Sequence, residues 1–359
     1  MRNRTMRISA GLLVVLAVAQ LHALELKEGR MKLVLHEAYG RFSLEYLADV
    51  SKGRYVPLFV DTDPRTTMLS VLVGNTVYRM GDSSQFTQEL FRTSKSAGFL
   101  WESSALTVRQ EFFFIRSQGS LLSDGIGMTV TVTNKAEGSR AIGVRYLFDT
   151  YLGEKQRTHF LTDIHPILSS ETELAGRTIS YLVSQDPGAK NEGFKIMTRT
   201  EGVTVPDRVV FGNWKRLSDT PWEYGVSEGR SFSLLPYSIN DSAVALYYNP
   251  TPLGAGAGRT VTLYIGCTSD SRFEALPGSA VSPAGDDRSL TDVYEAAVNR
   301  DIGAASAGRD AFTAELFAVD DLIAQIDRKL ASGEPILTEE LAVYRKILET
   351  LLARKKNYD

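Results

Sequence analysis

The sequence predicts a mainly β protein, a large antiparallel β-sandwich followed by a C-terminal α-helical hairpin. Three observations lead there. Between Met31 and Gly266, short runs alternate apolar and polar residues with a period of two, as strands with one buried face do. Gly, Asn, Asp and Pro punctuate those runs at sandwich spacing. After Ser289 the apolar spacing changes to steps of three and four, the rhythm of an amphipathic helix.

At the start, Met1 to Ala23 reads as a secretory signal peptide. Arg2, Arg4 and Arg7 precede an uncharged apolar core, Ile8 to Leu21, and Ala23 suits the cleavage position. The core is shorter than the roughly 20 residues of a bilayer span, so cleavage is expected rather than anchoring. With no cysteine near the cleavage site, a lipoprotein is not expected. The expected location is the periplasm or cell envelope, with no transmembrane span after cleavage. Loss of three arginines takes the formal charge from −3 to −6, and no basic block remains, which excludes a nucleic-acid footprint. The lone cysteine, Cys267, follows Tyr264-Ile265-Gly266 at a strand end and is expected to be buried.

The expected sandwich covers residues 24–268. Two strands lie between Met31 and Leu47, broken at Gly40. Met68 to Val73 and Thr76 to Met80 flank Gly74-Asn75 as a tight hairpin. Leu106 to Phe114 is a long strand whose Phe112, Phe113 and Phe114 put aromatics on both faces, so both faces should be covered. The central stretch, Leu122 to Leu152, reads as a long hairpin. Ile126, Met128, Val130 and Val132 alternate with threonines, Asn134 to Ser139 turn, and Ile142, Val144, Tyr146 and Phe148 resume. Shorter strands follow at Ile179–Val183, Phe194–Met197 and Val209–Trp214. Asp241 to Tyr248 then turns through Asn249–Gly258 and returns as Thr260–Gly266.

Residues 269–288, rich in Ser, Pro, Gly and Asp, are expected to be a linker, and 289–359 a helical tail. Phe312, Leu316, Val319, Ile323, Ile326 and Leu330 make one stripe, ended by Gly333 and Pro335. Thr338 caps a second helix with Leu341, Tyr344, Leu348 and Leu351 as its stripe. Such a hairpin cannot bury enough surface alone, so it should dock on the sandwich or on another protein.

Chemistry concentrates between Asp149 and His165. On a straight strand His159, Asp163 and His165 share one face and could ligate zinc, with Asp149 and Glu154 adding oxygens. Pro166 breaks the run and the spacing matches no metal motif, so a polar loop is preferred and no metal is expected. Glu154 with Glu171 or Glu173 offers the paired carboxylates of a glycosidase. Trp214, Trp222 and Tyr224 could stack on a sugar ring, although core packing is the favoured reading. No phosphate-cradling glycine loop and no nucleophile elbow occurs. No residue is assigned to catalysis, and no cofactor is expected.

Gly143-Val144-Arg145-Tyr146-Leu147-Phe148-Asp149-Thr150-Tyr151-Leu152-Gly153-Glu154 resembles a segment of secreted bacterial supersandwich domains of the galactose-mutarotase-like type. Asp241 to Tyr248 and Arg259 to Gly266 are similar to the same domains, which include accessory domains of glycoside hydrolases. The resemblance spans Leu24 to Thr268 and implies the supersandwich fold. It carries over no catalytic His/Glu pattern residue by residue. Leader and tail together resemble periplasmic proteins of spirochaete type. The expectation is a non-catalytic envelope binding or scaffold protein, with an envelope partner or self-association through the tail. The alternative is a carbohydrate-binding or carbohydrate-active protein with a glycan at Trp214, Trp222, Tyr224, Asp149 and Glu154.

Overall fold

The computed structural model describes residues 23–49, 52–60, 63–117, 123–188, 192–268 and 275–280, and three separate positions, 341, 345 and 349. The expected leader lies outside the described residues, apart from Ala23. Strands β1 (Ala23–Glu28), β2 (Met31–His36), β3 (Arg41–Asp49) and β4 (Arg54–Pro57) form a four-stranded antiparallel meander. Next come β5 (Met68–Val73), β6 (Thr76–Arg79), β7 (Thr87–Arg92), β8 (Ala97–Glu102), β9 (Leu106–Ser117), β10 (Gly125–Asn134) and β11 (Arg140–Asp149). They are followed by β12 (Leu161–Thr162), β13 (Thr172–Ala175), β14 (Tyr181–Gln185), β15 (Gly193–Met197) and β16 (Arg208–Asn213). A short helix α1 (Trp214–Asp219) precedes β17 (Ser242–Leu253), β18 (Gly258–Cys267) and β19 (Ala275–Ala280).

Two larger antiparallel sheets make the sandwich. One runs β12-β14-β15-β18-β10-β9-β8-β7, with β19 also on β9, and the other β13-β16-β17-β11-β5-β6. Their inner faces share a core: Ile126, Met128, Val130, Val132, Val261, Leu263 and Ile265 meet Val71, Ile142, Val144, Tyr146, Phe148, Val244 and Leu246. The small meander closes the core with Leu33, Phe42 and Leu44. Aromatic contacts tie the sheets together. Phe42 meets Phe112 at 4.8 Å, Phe59 meets Phe194 at 4.8 Å, and Phe59 also stacks on Phe148 at 5.4 Å. Such pairs each add about 1 kcal/mol beyond area burial. Cys267 is fully buried, and Phe113 packs on the outer face near Tyr264 while Phe112 faces inward.

The central hairpin is corrected. β10 and β11 do not pair: β10 lies between β9 and β18, and β11 between β5 and β17. The two strands instead face each other across the core. Alternation reports which face is buried, not which strand supplies the hydrogen bonds, so a corner between sheets reads like a hairpin. β17 and β18 likewise belong to different sheets. Asn134, fully buried, stitches the two corners, its Nδ2 donating to Gly138 O at 2.8 Å and Leu253 O at 2.9 Å.

Within the stretch expected as a linker, Ala275–Ala280 pairs with β9. The expected helical hairpin lies almost wholly outside the described residues; positions 341, 345 and 349 are helical. Among the described residues no helix is long and apolar enough to cross a membrane.

The outer face of the six-stranded sheet is also covered. Met68, Leu72, Leu147, Val210, Ala245 and Tyr247 pack under Leu217, Trp222 and Tyr224 from α1 and the segment after it. That cover places the functional candidates.

Candidate functional site

β11 leaves the sheet at Asp149, directly beside the start of β17, where Asp149 pairs with Ala243. Thr150 binds Ser242 there: its amide and hydroxyl donate to Ser242 O at 3.1 and 2.8 Å. The chain then turns through Gly153, whose φ of +77° suits glycine, and brings Glu154 back over the strand end. Glu154 Oε1 accepts the Ser242 amide at 2.8 Å and lies 3.2 Å from its hydroxyl. Asp241 precedes Ser242 and adds a third carboxyl group.

Asn213 holds the other side. As N-cap of α1 its side-chain oxygen accepts the Arg216 amide at 3.2 Å. Its Nδ2 donates to Phe232 O at 2.7 Å, Ser238 Oγ at 2.9 Å and Asp241 O at 3.1 Å. Trp214, half-buried at the first position of α1, donates its indole N–H to Thr66 O at 2.9 Å.

Burial dominates the electrostatics. Asp149 is 5 % exposed, and burial pushes its carboxyl up to about 8, helped by the negative charges of Asp241, Glu154 and Asp63. Glu154 is pushed up to about 7 by burial, against the two bonds from Ser242, with Asp241 adding to the rise. Asp241 is also raised by burial. Near neutral pH, Asp149 is therefore a neutral carboxylic acid and Glu154 sits close to its midpoint. One group can donate a hydrogen bond where the other exchanges a proton, the separation of roles that acid–base and hydroxyl recognition use.

Of the predicted residues, Asp149, Glu154 and Trp214 come to this end of the sheet. Trp222 and Tyr224 do not form a stacking platform. They are 6 % and 8 % exposed. Trp222 sets its ring edge-on to Tyr247 at 5.6 Å and lies over Gly143, and the Tyr224 hydroxyl donates to Glu171 at 2.7 Å. Their faces are used in packing. Glu171 is a structural anion, 2.6 Å from Arg216, and Glu173 lies 3.7 Å from Arg208, so neither pairs with Glu154.

The common face proposed for His159, Asp163 and His165 is also corrected. β12 ends at Thr162, and a turn follows in which Thr162 N donates to His165 O at 2.8 Å. His159 is buried against Phe232, its ring lowered to about 4 by burial and by Arg157, while Asp163 accepts the Ser180 amide at 2.9 Å. Among the described residues no group of three or more His, Cys, Asp or Glu is placed to hold a metal. Sequence reading missed Asp241, Asn213 and Ser242. Asn213 before a short helical run was a legible capping signal, but its contact with Asp241 depends on the 232–241 loop folding back.

No family model matches the chain, and no curated protein does. Solved structures are similar to it in chain path. A galactose mutarotase-like protein from Lactobacillus casei matches over 68 % of this chain and 100 % of its own, at 11 % identity and a TM-score of 0.42. A galactose mutarotase related enzyme from Lactobacillus acidophilus matches over 70 % and 99 %, at 12 % identity and 0.39. A TPR-domain containing protein from Parabacteroides distasonis matches over 74 % and 50 %, at 11 % and 0.44. No residue role is carried over from any of them.

Proposed function

We propose that the chain is an exported envelope binding protein whose β-sandwich recognises a neutral carbohydrate at the carboxyl cluster of Asp149, Glu154 and Asp241. The observation that carries the reading is the grouping of two half-buried carboxyls, Glu154 and Asp241, with the buried Asp149 at one end of the sheet, where burial pushes the Asp149 carboxyl up to about 8. Carboxyl groups that both donate and accept suit the hydroxyls of a sugar, which carries no charge to be repelled. Half-buried Trp214 offers an apolar wall beside them. The tail at 289–359 is an assembly element in this proposal.

Calorimetric titration of the full chain with neutral mono- and oligosaccharides, guided by a glycan array, tests the reading. Saturable binding that weakens about tenfold in Glu154→Gln and in Asp241→Asn is expected, the effect of about one lost hydrogen bond. An array with no neutral glycan bound above background refutes it.

One observation favours a protein partner instead. Leu235, Tyr237 and Ile239 are 73, 72 and 70 % exposed on a turn closed by bonds between Leu234 and Ser238. Exposed apolar groups of this size mark contact surfaces. Cross-linking in envelope extracts that is lost in Leu235→Ser/Ile239→Ser would favour that reading.

A further inference from the structure

Register alone lines up five side chains across the outer face of the six-stranded sheet. Arg79 on β6 pairs with Ser70 on β5, Ser70 with Arg145 on β11, Arg145 with Tyr247 on β17, and Tyr247 with Arg208 on β16. Three of the five are arginines. They share the face of Leu147 and Tyr247, beneath the cover that follows α1.

We infer that this row is a binding site for a small tetrahedral oxyanion, phosphate or sulfate, gripped by Arg145 and Arg208 with Ser70 beside them. Arg145 is 1 % exposed. Its Nη1 donates to Thr220 O at 2.9 Å, but its Nε and Nη2 are buried without an aligned partner. The Tyr247 hydroxyl lies alongside as a loosely aligned hydrogen-bond partner, which eases the burial of the guanidinium but does not fill its donor edge. Arg208 repeats the pattern: its Nε and Nη2 are also buried and unpartnered. In each guanidinium those two nitrogens form the edge with parallel N–H bonds that takes an oxyanion bidentately. The guanidinium carbons of Arg208 and Arg145 lie 4.5 and 5.8 Å from the centre of the same Tyr247 ring. Ser70 Oγ, fully buried and likewise unpartnered, is the next donor in the row.

Charge points the same way. Among the described residues, the carboxylates ion-paired with the row are Glu173 and Glu223, 3.7 and 3.4 Å from Arg208 Nη1, and Glu223 is 78 % exposed. Arg145 is held by a backbone oxygen with no net charge, and Arg79, which donates to Ser218 O, adds repulsion rather than relief. A water molecule could fill the donors but not the charge. Two guanidinium edges and a hydroxyl exceed what the two oxygens of a carboxylate accept, which favours four oxygens. Because Arg79 and Arg145 also bind the chain at Ser218 and Thr220, a bound anion would fasten the cover to the sheet.

The test uses the full chain dialysed into chloride buffer. It is titrated with sodium phosphate and sodium sulfate by calorimetry, and thermal unfolding is followed in parallel at matched ionic strength. Binding of one equivalent and a raised melting temperature, both weakened at least tenfold in ligand affinity by Arg208→Gln, are expected. Arg208 is partly exposed, so that variant should fold, with circular dichroism as the check. Arg145→Lys, which keeps the charge but loses the fork, provides a second reading and should also bind at least tenfold more weakly. A melting shift no larger than that given by sodium chloride, or unchanged affinity in both variants, overturns the inference.

Discussion

Glu154 Oε1 accepts the backbone amide of Ser242 at 2.8 Å, joining the turn after one central strand to the start of its neighbour. The bond holds a carboxyl group over the strand end in a place where burial resists its ionisation. Stability and recognition at this end of the sheet are therefore linked to pH.

Asp149 and Glu154 should make the fold less stable as pH rises. Their folded values, about 8 and about 7, lie above the ordinary carboxylate range, so folding favours the protonated forms. That contribution is complete below about pH 4 and is lost as pH climbs through 7 and 8. His159 acts oppositely, being lowered to about 4; its contribution is complete above about 6.5 and is lost as pH falls through 4. Asp149→Asn should melt higher than the native chain at pH 8 and no higher at pH 4.5. Thermal unfolding across this range checks it, and identical pH profiles would refute it.

Arg216 and Glu171 should be strongly coupled. Glu171 is buried, 2.6 Å from Arg216, and also accepts the Tyr224 hydroxyl and the Ser227 amide. Arg216→Met leaves that charge without its cation and should cost about 3–5 kcal/mol. Glu171→Gln added to Arg216→Met should recover part of the loss. Urea denaturation of the four forms measures the coupling, and strictly additive losses would count against it.

Gly143 should tolerate no larger residue. A Cβ there would lie 2.8 Å from Trp222 Cζ2 and 3.1 Å from Pro250 Cγ. Gly143→Ala must displace the indole that covers Tyr247, at a cost of about 1–3 kcal/mol. Shifted Trp fluorescence with a lowered urea midpoint is the expected result.

Asn134→Ala should loosen both corners of the sandwich together. It removes donors to Gly138 O and Leu253 O and an acceptor for the Ala136 amide. The buried Leu253 carbonyl left unsatisfied should cost about 1–3 kcal/mol, whereas the exposed Gly138 carbonyl can turn to water. Hydrogen exchange should rise at residues 134–140 and 253–257 alike; a rise in one corner alone would contradict the stitching.

Period-two alternation determined the strands and their buried faces. Ile126 to Val132 and Ile142 to Phe148 line the core because a pleated strand puts alternate side chains on one side. The burial of Cys267 and the Gly74-Asn75 hairpin were legible for equally local reasons. Partnership was not. Only the tertiary structure decided that β10 and β11 part into separate sheets, because each has one hydrogen-bond partner more than a hundred residues away, as Thr129 has in Thr262 and Arg145 in Tyr247. It likewise decided that Trp222 and Tyr224 are buried while Asp241 joins Asp149, since a side chain's surroundings come from segments that fold over it. The arginine row belongs wholly to that second class. Arg79, Arg145 and Arg208 are unremarkable as sequence, and strand register alone sets them in one row, with Ser70 and Tyr247 between them.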